Sequence, residues 1–194
     1  DTSINNLEED LHAKAEGLAT EHLSCLRAAD IEFVYDGESF AEFCFFLAMQ
    51  YMRTPTRKQA FKTNLNDAPF NFEASWGFLR TVLATAHGFQ LNRRQDSVRL
   101  TFLDSTDAGA CFITGDQPVL NTRAVGLPVG RQADQLEFHY PLGPRSAVLI
   151  DFEGCGGPSK YLRPAAAEEV ATLNSMIVRE ATGQLYAADA SHLE

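Results

Sequence analysis

The chain has 194 residues, of which 45% are apolar, and a formal net charge of −10. This length is enough for one domain with a sizeable core, and the acidity excludes a protein that coats nucleic acid through a broad basic face. No segment approaches the roughly 20 consecutive apolar residues of a membrane-spanning helix, so the sequence predicts a soluble, cytoplasmic protein without a membrane partner.

The charge is distributed unevenly along the chain. Residues 1–48 carry 11 acids and 2 bases, residues 49–100 carry 3 acids and 8 bases, and residues 101–194 carry 12 acids and 6 bases. The central segment is therefore a basic island that could hold one anionic group. The alternative is internal neutralisation, in which the basic helices lie against the acidic first helix. The basic island comprises Arg53, Arg57, Lys58, Lys62, Arg80, Arg93, Arg94 and Arg99.

Helices are predicted in the first half of the chain. Apolar residues recur every three or four positions over residues 7–28, which indicates an amphipathic helix. A second helix, over about residues 39–53, is apolar on all sides, so we expect it at the centre of the core. Pro55 cannot continue that helix, and we predict a break at Thr54, whose hydroxyl caps a new helix with Pro55 in its first position.

A further helix is predicted over about residues 71–86, ending at His87-Gly88 because glycine commonly follows a helix. After Gly88 the composition changes. The segments SVRLTFLD, ACFIT, QLEFHY and SAVLIDF are short, rich in β-branched and aromatic residues and separated by turn residues, which is typical of strands in a mostly antiparallel sheet. A last helix is predicted to start at Pro164, and QLYAAD is read as a short final strand.

This order of elements predicts an α+β fold, with N-terminal helices packed on a mostly antiparallel sheet and a C-terminal helix. We expect one domain over residues 1–194, with a helical half at about 7–88 and a sheet half at about 89–187.

Several short motifs occur in a defined order. After an acidic helix with Glu8 and Glu9 come QYMRTP at residues 50–55, FITGDQPV at 112–119, PLGP at 141–144 and Asn174 in the last predicted helix. In this order the chain resembles the domain of unknown function 4238 family of bacterial proteins, over essentially its whole length from residue 8. The activity of that family is unassigned, so the resemblance implies a fold and the location of a site but no reaction.

The chain departs from the family pattern at two points. Gly115 and Gly143 stand where the family has serine, which weakens any mechanism that needs a hydroxyl there. The family's His-Pro-Tyr-Leu-like opening is absent, so we expect a truncated or processed version of the family's chain.

Two arginines beside the predicted helix break are the cationic candidates. Arg53 at the end of one helix and Arg57 in the first turn of the next could converge on one spot. The guanidinium fork matches a carboxylate or phosphate at two points. The structural alternative for Arg53 is an ion pair with Glu9 or Glu16 of the first helix.

Further polar candidates lie at the ends of predicted elements. Asp116 sits in a turn between a glycine and a proline, where a carboxylate can be a metal ligand or a general base, or can cap the turn. Asn174 would orient a substrate or satisfy a backbone group. His139 and Tyr140 could act as acid or base, and the alternative for His139 is a half-buried ring with a carbonyl partner.

The cysteines carry no motif. Cys25, Cys44, Cys111 and Cys155 stand far apart, so no metal knuckle or redox pair is indicated. Cys44 and Cys111 lie in apolar segments and are expected to be buried, reduced thiols.

The leading functional hypothesis is a bacterial hydrolase acting on a phosphate-bearing substrate, as a nuclease or nucleotide hydrolase of a toxin or defence kind. Arg53 would stabilise developing negative charge, while Asp116 and Glu9 would position water or a divalent ion, Mg²⁺ or Mn²⁺, the cofactor being unknown. The rival hypothesis is a non-catalytic domain that binds a protein partner and whose polar residues form a structural network. The residues expected to contact the anionic small molecule or nucleic acid are Gln50, Arg57, Tyr140 and Asn174.

Overall fold

The computed structural model describes residues 13, 17, 19–52, 54–65, 69–128, 131 and 133–189. Residues 13, 17 and 19–27 are helical and form the described part of α1. None of the helices in the described ranges has both the length and the apolarity needed to cross a membrane. The other α-helices are α2 (Gly37–Met52), α3 (Pro55–Asn64), α4 (Phe72–Asn92) and α5 (Ala167–Glu180).

The apolar helix α2 lies at the centre of the core, as its composition predicts. Side chains on all its faces are buried, among them Phe40, Phe43, Leu47 and Met52. It packs along α4 on one side and against the sheet on another. A helix that is apolar all round has no polar face to offer to water, so it is stable only when other elements surround it.

The break after α2 is confirmed. Thr54 has extended backbone geometry, and its Oγ1 accepts a hydrogen bond from the Arg57 backbone N at 3.4 Å. Pro55 occupies the first position of α3, where a missing N–H costs nothing. Arg57 therefore lies in the first turn of α3, as expected, whereas Arg53 lies outside the described residues.

The predicted end of the third helix at His87-Gly88 is wrong, because α4 continues to Asn92. Gly88 is a packing residue: a Cβ atom there would lie 3.0 Å from the Cα of Phe45 in α2. Only glycine allows the two backbones to approach this closely. Asn71 caps the helix by accepting a bond from the Ala74 backbone N.

The strands are β1 (Arg99–Asp104), β2 (Thr114–Gly115), β3 (Leu120–Asn121), β4 (Glu137–Gly143), β5 (Ser146–Asp151), β6 (Ser159–Pro164) and β7 (Leu185–Tyr186). Five of them form a sheet with the strand order β3-β4-β5-β1-β6, and β2 and β7 form a separate pair. Neighbours in the larger sheet are antiparallel except β1 and β6, which are parallel, so the prediction of a mostly antiparallel sheet in an α+β fold is confirmed.

Two predicted boundaries in the second half are wrong. Pro164 ends the strand β6 and does not start a helix, since α5 begins at Ala167. Proline is tolerated there because β6 is an edge strand, so no strand on its outer side needs backbone N–H donors from it. Cys111–Ile113 are irregular, and only Thr114 of the predicted strand ACFIT is paired, with Tyr186.

The sheet has helices on both faces. Side chains alternate along β1 and β5, so successive residues of each strand face different helices. Leu100 and Ile150 point to the face covered by α2 and α4, whereas Leu103 and Ala147 point to the face covered by α5.

All four cysteines are free thiols, and Cys44 and Cys111 are buried, as predicted. Burial raises the pKa of Cys44, which keeps this thiol protonated at neutral pH.

The contact at Gly88 gives a first test. We expect Gly88→Ala to destabilise the protein by about 1 kcal/mol, because overpacking against the rigid backbone of Phe45 outweighs the gain of about 1 kcal/mol in helix propensity. Urea denaturation measures the change.

The matched control is Gly37→Ala in α2, where an added Cβ has nothing within 4 Å. This variant should be neutral or slightly more stable. Equal stabilisation by both substitutions would contradict the close approach of α2 and α4 at Gly88.

Candidate functional site

A cavity of about 160 Å³ lies beside the break between α2 and α3. Its inner wall is buried and comes from α2, α4 and β4 through Ala48, Met52, Leu91 and Phe138. Its other walls come from α3 and from the segment between β3 and β4. The lining residues are Ala48, Tyr51, Met52, Arg57, Phe61, His87, Leu91, Asn121, Ala124, Arg131, Ala133, Leu136 and Phe138.

Arg57 is held in this cavity by an aromatic ring. Its guanidinium carbon lies 4.3 Å from the ring centre of Tyr51, which is cation–π geometry. Tyr51 is itself fixed, because its ring contacts Phe138 edge-to-face at 5.2 Å and its hydroxyl bonds with the side chain of Asn121. Burial raises the pKa of Tyr51 despite the opposing effects of Arg57 and Asn121, so the phenol stays neutral. The ring of Tyr51 covers one face of the guanidinium, so the N–H groups at the guanidinium edge can still donate hydrogen bonds.

A second cation, Arg131, lines the same cavity from the loop between β3 and β4. It is exposed, and its backbone N donates to Pro128 O at 3.0 Å. Neither Arg131 nor Arg57 forms an ion pair with a carboxylate among the residues that the structure describes. The Nε of Arg57 is buried and has no hydrogen-bond partner there either.

An outer groove of about 480 Å³ adjoins the cavity. Arg57, Ala124 and Arg131 line both, so the two arginines lie on the wall that the cavity and the groove share. The groove also contains Glu180 at the end of α5 and Thr182 just beyond it. The cavity itself contains no carboxylate among its described lining residues.

His87 of α4 also lines the cavity. Its Nδ1 lies 2.8 Å from Leu83 O, one turn earlier in the helix. A carbonyl accepts only, so in the neutral ring Nδ1 carries the proton and Nε2 is left as an acceptor.

Other members of the basic island are neutralised locally. Lys58 and Lys62 of α3 both pair with Glu73 of α4, at 2.5 and 2.7 Å. These bonds lower the pKa of Glu73 to about 2. Arg99 pairs with Asp151 of the neighbouring strand at 2.8 Å. For these three bases the alternative of internal neutralisation holds, but their partners lie on α4 and β5 and not on the first helix.

Asp116 fastens the end of α5 to the segment after β2. Its carboxylate accepts bonds from the backbone N and Oγ1 of Thr182, the latter at 2.8 Å, and its own N donates to Gln184 O. Partial burial alone would raise the pKa of Asp116, but the bonds from Thr182 and Gly183 outweigh it and lower the pKa. Asp116 thereby supports one residue of the outer groove, Thr182. Its role as a metal ligand or base stays a prediction.

Asn174 in α5 bonds to the backbone with both ends of its amide. Nδ2 donates to Cys111 O at 2.8 Å, and Oδ1 accepts from Ile113 N at 3.1 Å. The side chain thus bonds to the backbone at both ends of Cys111–Ile113, an apolar segment that belongs to no strand. Asn174 therefore satisfies backbone groups, the structural alternative considered from the sequence.

The remaining sequence-predicted residues are scattered. Gln50 is buried in α2, and Tyr140 of β4 lines a different pocket, near Arg27 and Tyr186. Neither lines the cavity. Glu9, like Arg53, lies outside the described residues. Of the predicted site residues, Arg57 lines the cavity and Asp116 supports its outer groove.

Four polar residues of the cavity, Tyr51, His87, Asn121 and Arg131, were not identified from the sequence. Tyr51 is adjacent to Gln50 in the motif that was noticed, so the motif itself was a signal for it. Arg131 lies in a glycine- and proline-containing loop far from the motif in sequence, and no local pattern marks it.

A metal site is not apparent in the described part of the chain. No group of three or more His, Cys, Asp and Glu residues there is arranged to hold a metal ion. The proposed use of Mg²⁺ or Mn²⁺ stays a prediction that depends in part on Glu9.

His139 differs from expectation. The side chain in β4 is fully buried, lies beside Phe112, and has no hydrogen-bond partner for either ring nitrogen within the described ranges. The predicted half-buried ring with a carbonyl partner is therefore wrong. Burial lowers the pKa of His139 to about 4, although Glu169 acts in the opposite direction. The ring is neutral at physiological pH.

No protein-family model, curated protein or solved structure matches the chain. The resemblance to the domain of unknown function 4238 family stays a prediction from the motifs.

The bonds of Asn174 predict a large effect of truncation. Asn174→Ala should lower the free energy of unfolding by about 2–4 kcal/mol, because the carbonyl of Cys111 and the N–H of Ile113 both lose their partner. Urea denaturation measures the loss. Ser175→Ala, an exposed neighbour in α5, should change stability by about 0.5 kcal/mol or less. An Asn174→Ala variant as stable as this control would rule out the bridging role.

The buried His139 predicts a pH dependence of stability. Below its usual pKa of 6.5 the unfolded chain takes up a proton, whereas the folded chain stays neutral until about pH 4. The unfolded state therefore binds more protons, and stability falls by about 3 kcal/mol as the pH decreases through this window.

His139→Leu should remove this component from urea denaturation curves between pH 7 and pH 4, while the exposed His87→Gln should retain it. Identical pH profiles for wild type and His139→Leu would contradict the neutral, buried state of this ring.

Proposed function

We propose that the protein binds a phosphate-bearing, anionic small molecule in the cavity beside the α2–α3 break. One observation carries the proposal: Arg57 and Arg131 both line the cavity, and no carboxylate accompanies them among its described lining residues. A basic cavity inside an acidic protein concentrates positive potential at one place, which favours an anion there over the rest of the surface.

The state of Arg57 supports this proposal. The guanidinium is partly desolvated against Tyr51, and its Nε finds no acceptor in the described part of the chain. Withdrawing a cation from water without an acceptor is costly, and a bound phosphate would offset that cost with charge-assisted hydrogen bonds. The flat fork of donors suits two phosphate oxygens better than a point charge would.

A second candidate function is hydrolysis of the bound phosphate ester, and the position of Glu180 favours it. This carboxylate lies in the groove whose wall includes Arg57 and Arg131. The carboxylate would take a proton from a water molecule as the water oxygen attacks phosphorus, the ester P–O bond would break, and that proton would pass to the leaving oxygen. The two arginines would stabilise the charge on the phosphoryl oxygens. Arg53 and Glu9 remain proposed participants.

The rival proposal is a non-catalytic domain that binds a protein partner. Its supporting observation is that Asp116 and Asn174 are both used to join one backbone segment to another. Under this rival proposal these two residues stabilise the fold, and the cavity does not bind an anion.

Isothermal titration of the purified chain with inorganic phosphate and with pyrophosphate tests the first proposal. Arg131→Gln should weaken binding by about tenfold or more, since a hydrogen bond to a charged group contributes about 1.5–3 kcal/mol. Arg93→Gln makes the same charge change at an exposed position that does not line the cavity, and it should leave the affinity within about twofold at fixed salt.

Equal affinities in these two variants, or no binding of either anion to the wild type, would refute an anion site at this cavity. Release of phosphate from an ester by the wild type, lost in Glu180→Gln while binding is kept, would establish the hydrolytic function. Binding without any release would leave a binding protein.

A further inference from the structure

The organic part of the ligand can be inferred from the apolar walls of the same cavity, and the inference rests on the proposed anion site. Apart from the polar groups already described, the lining consists of hydrophobic side chains. Met52, Leu91 and Phe138 are buried, and Phe61 and Leu136 are partly buried. A site for inorganic phosphate alone would have no use for this surface, because an ion gains nothing from contact with apolar walls.

The size of the cavity restricts what can fill these walls. Its volume is about 160 Å³. An engineered apolar cavity of about 150 Å³ in another protein stays dry and binds benzene. A single six-membered aromatic ring therefore matches this space, whereas a nucleoside, with its base and sugar together, is far larger.

The chemistry of the walls also favours an aromatic ring. Phe61 and Phe138 line the cavity and can pack against another aromatic ring, and the thioether of Met52 makes favourable contacts with aromatic groups. Arginine and apolar residues lie within the same small space, as expected for a ligand with a charged group and an apolar body joined directly.

We infer that the ligand is an aryl phosphate monoester, with one benzene-sized ring in the apolar cavity and its phosphate at Arg57 and Arg131. The outer groove remains available to water on the far side of the phosphate. This class differs from the nucleotides expected from the sequence, whose base and sugar together exceed the volume of the cavity.

Binding of phenyl phosphate, inorganic phosphate and adenosine monophosphate to the wild type tests the inference. Phenyl phosphate should bind about tenfold or more tightly than inorganic phosphate, because the ring buries apolar surface that phosphate lacks. It should also bind more tightly than adenosine monophosphate.

Variants of the protein test the apolar cavity separately from the anion site. Ala48→Leu places a larger side chain on the buried inner wall and should abolish the advantage of phenyl phosphate while leaving the affinity for inorganic phosphate unchanged. Ala86→Leu makes the same exchange at an exposed position of α4 and should change neither affinity. Leu136→Trp narrows the cavity from a partly buried wall and should act as Ala48→Leu does, which covers the case in which Ala48→Leu does not fold.

Each outcome decides one of the two proposals. If inorganic phosphate and phenyl phosphate bind equally well and both depend on Arg131, the anion site stands and the aryl inference is wrong. Tighter binding of adenosine monophosphate, or an advantage of phenyl phosphate that survives both cavity-filling variants, also overturns the inference. If neither phosphate binds, the anion site fails together with the inference.

Discussion

The burial of most of α2, on all its faces, is the constraint on which the other elements depend. Its apolar faces are covered by α4 on one side and by the sheet on another, and the contact with α4 is close because Gly88 has no side chain. The strands beneath it, β1 and β5, must then present alternate residues to α2 and to α5. Burial of apolar surface supplies most of the favourable free energy of folding. A shift of α2 would therefore weaken its packing against both α4 and the sheet.

The end of α2 also creates the cavity. Pro55 prevents the helix from continuing, and the chain turns at Thr54 into α3. The turn leaves a space between α3, the last residues of α2 and the loop before β4. Tyr51 is the last large aromatic residue of α2, and it supports Arg57 from across the break. The cavity is thus a consequence of stopping a buried helix abruptly beside a sheet.

The polar residues divide into two groups with different surroundings. Asp116 and Asn174 have their hydrogen-bonding groups engaged by backbone atoms, and they hold irregular segments that no strand pairs with. Arg57 and Arg131 lie on a cavity wall without a described carboxylate partner. The first group explains how a domain with long irregular connections stays ordered, because buried backbone groups need partners. The second group has donors that the described part of the protein does not use, which is the property expected of a recognition site.

The sequence by itself determined the fold class, the buried character of α2 and the helix break at Thr54-Pro55. These features follow from local periodicity and from the covalent geometry of proline, which act whatever the rest of the chain does. It also pointed to Arg57, because that arginine lies two residues beyond the motif, in the first turn after the break. Only the tertiary structure decided that Gly88 continues α4, that Pro164 ends a strand, and that Arg131 joins Arg57. A glycine or proline permits more than one conformation, and long-range contacts select among them. Residues 57 and 131 are far apart in sequence, so their meeting depends on packing that no local pattern records.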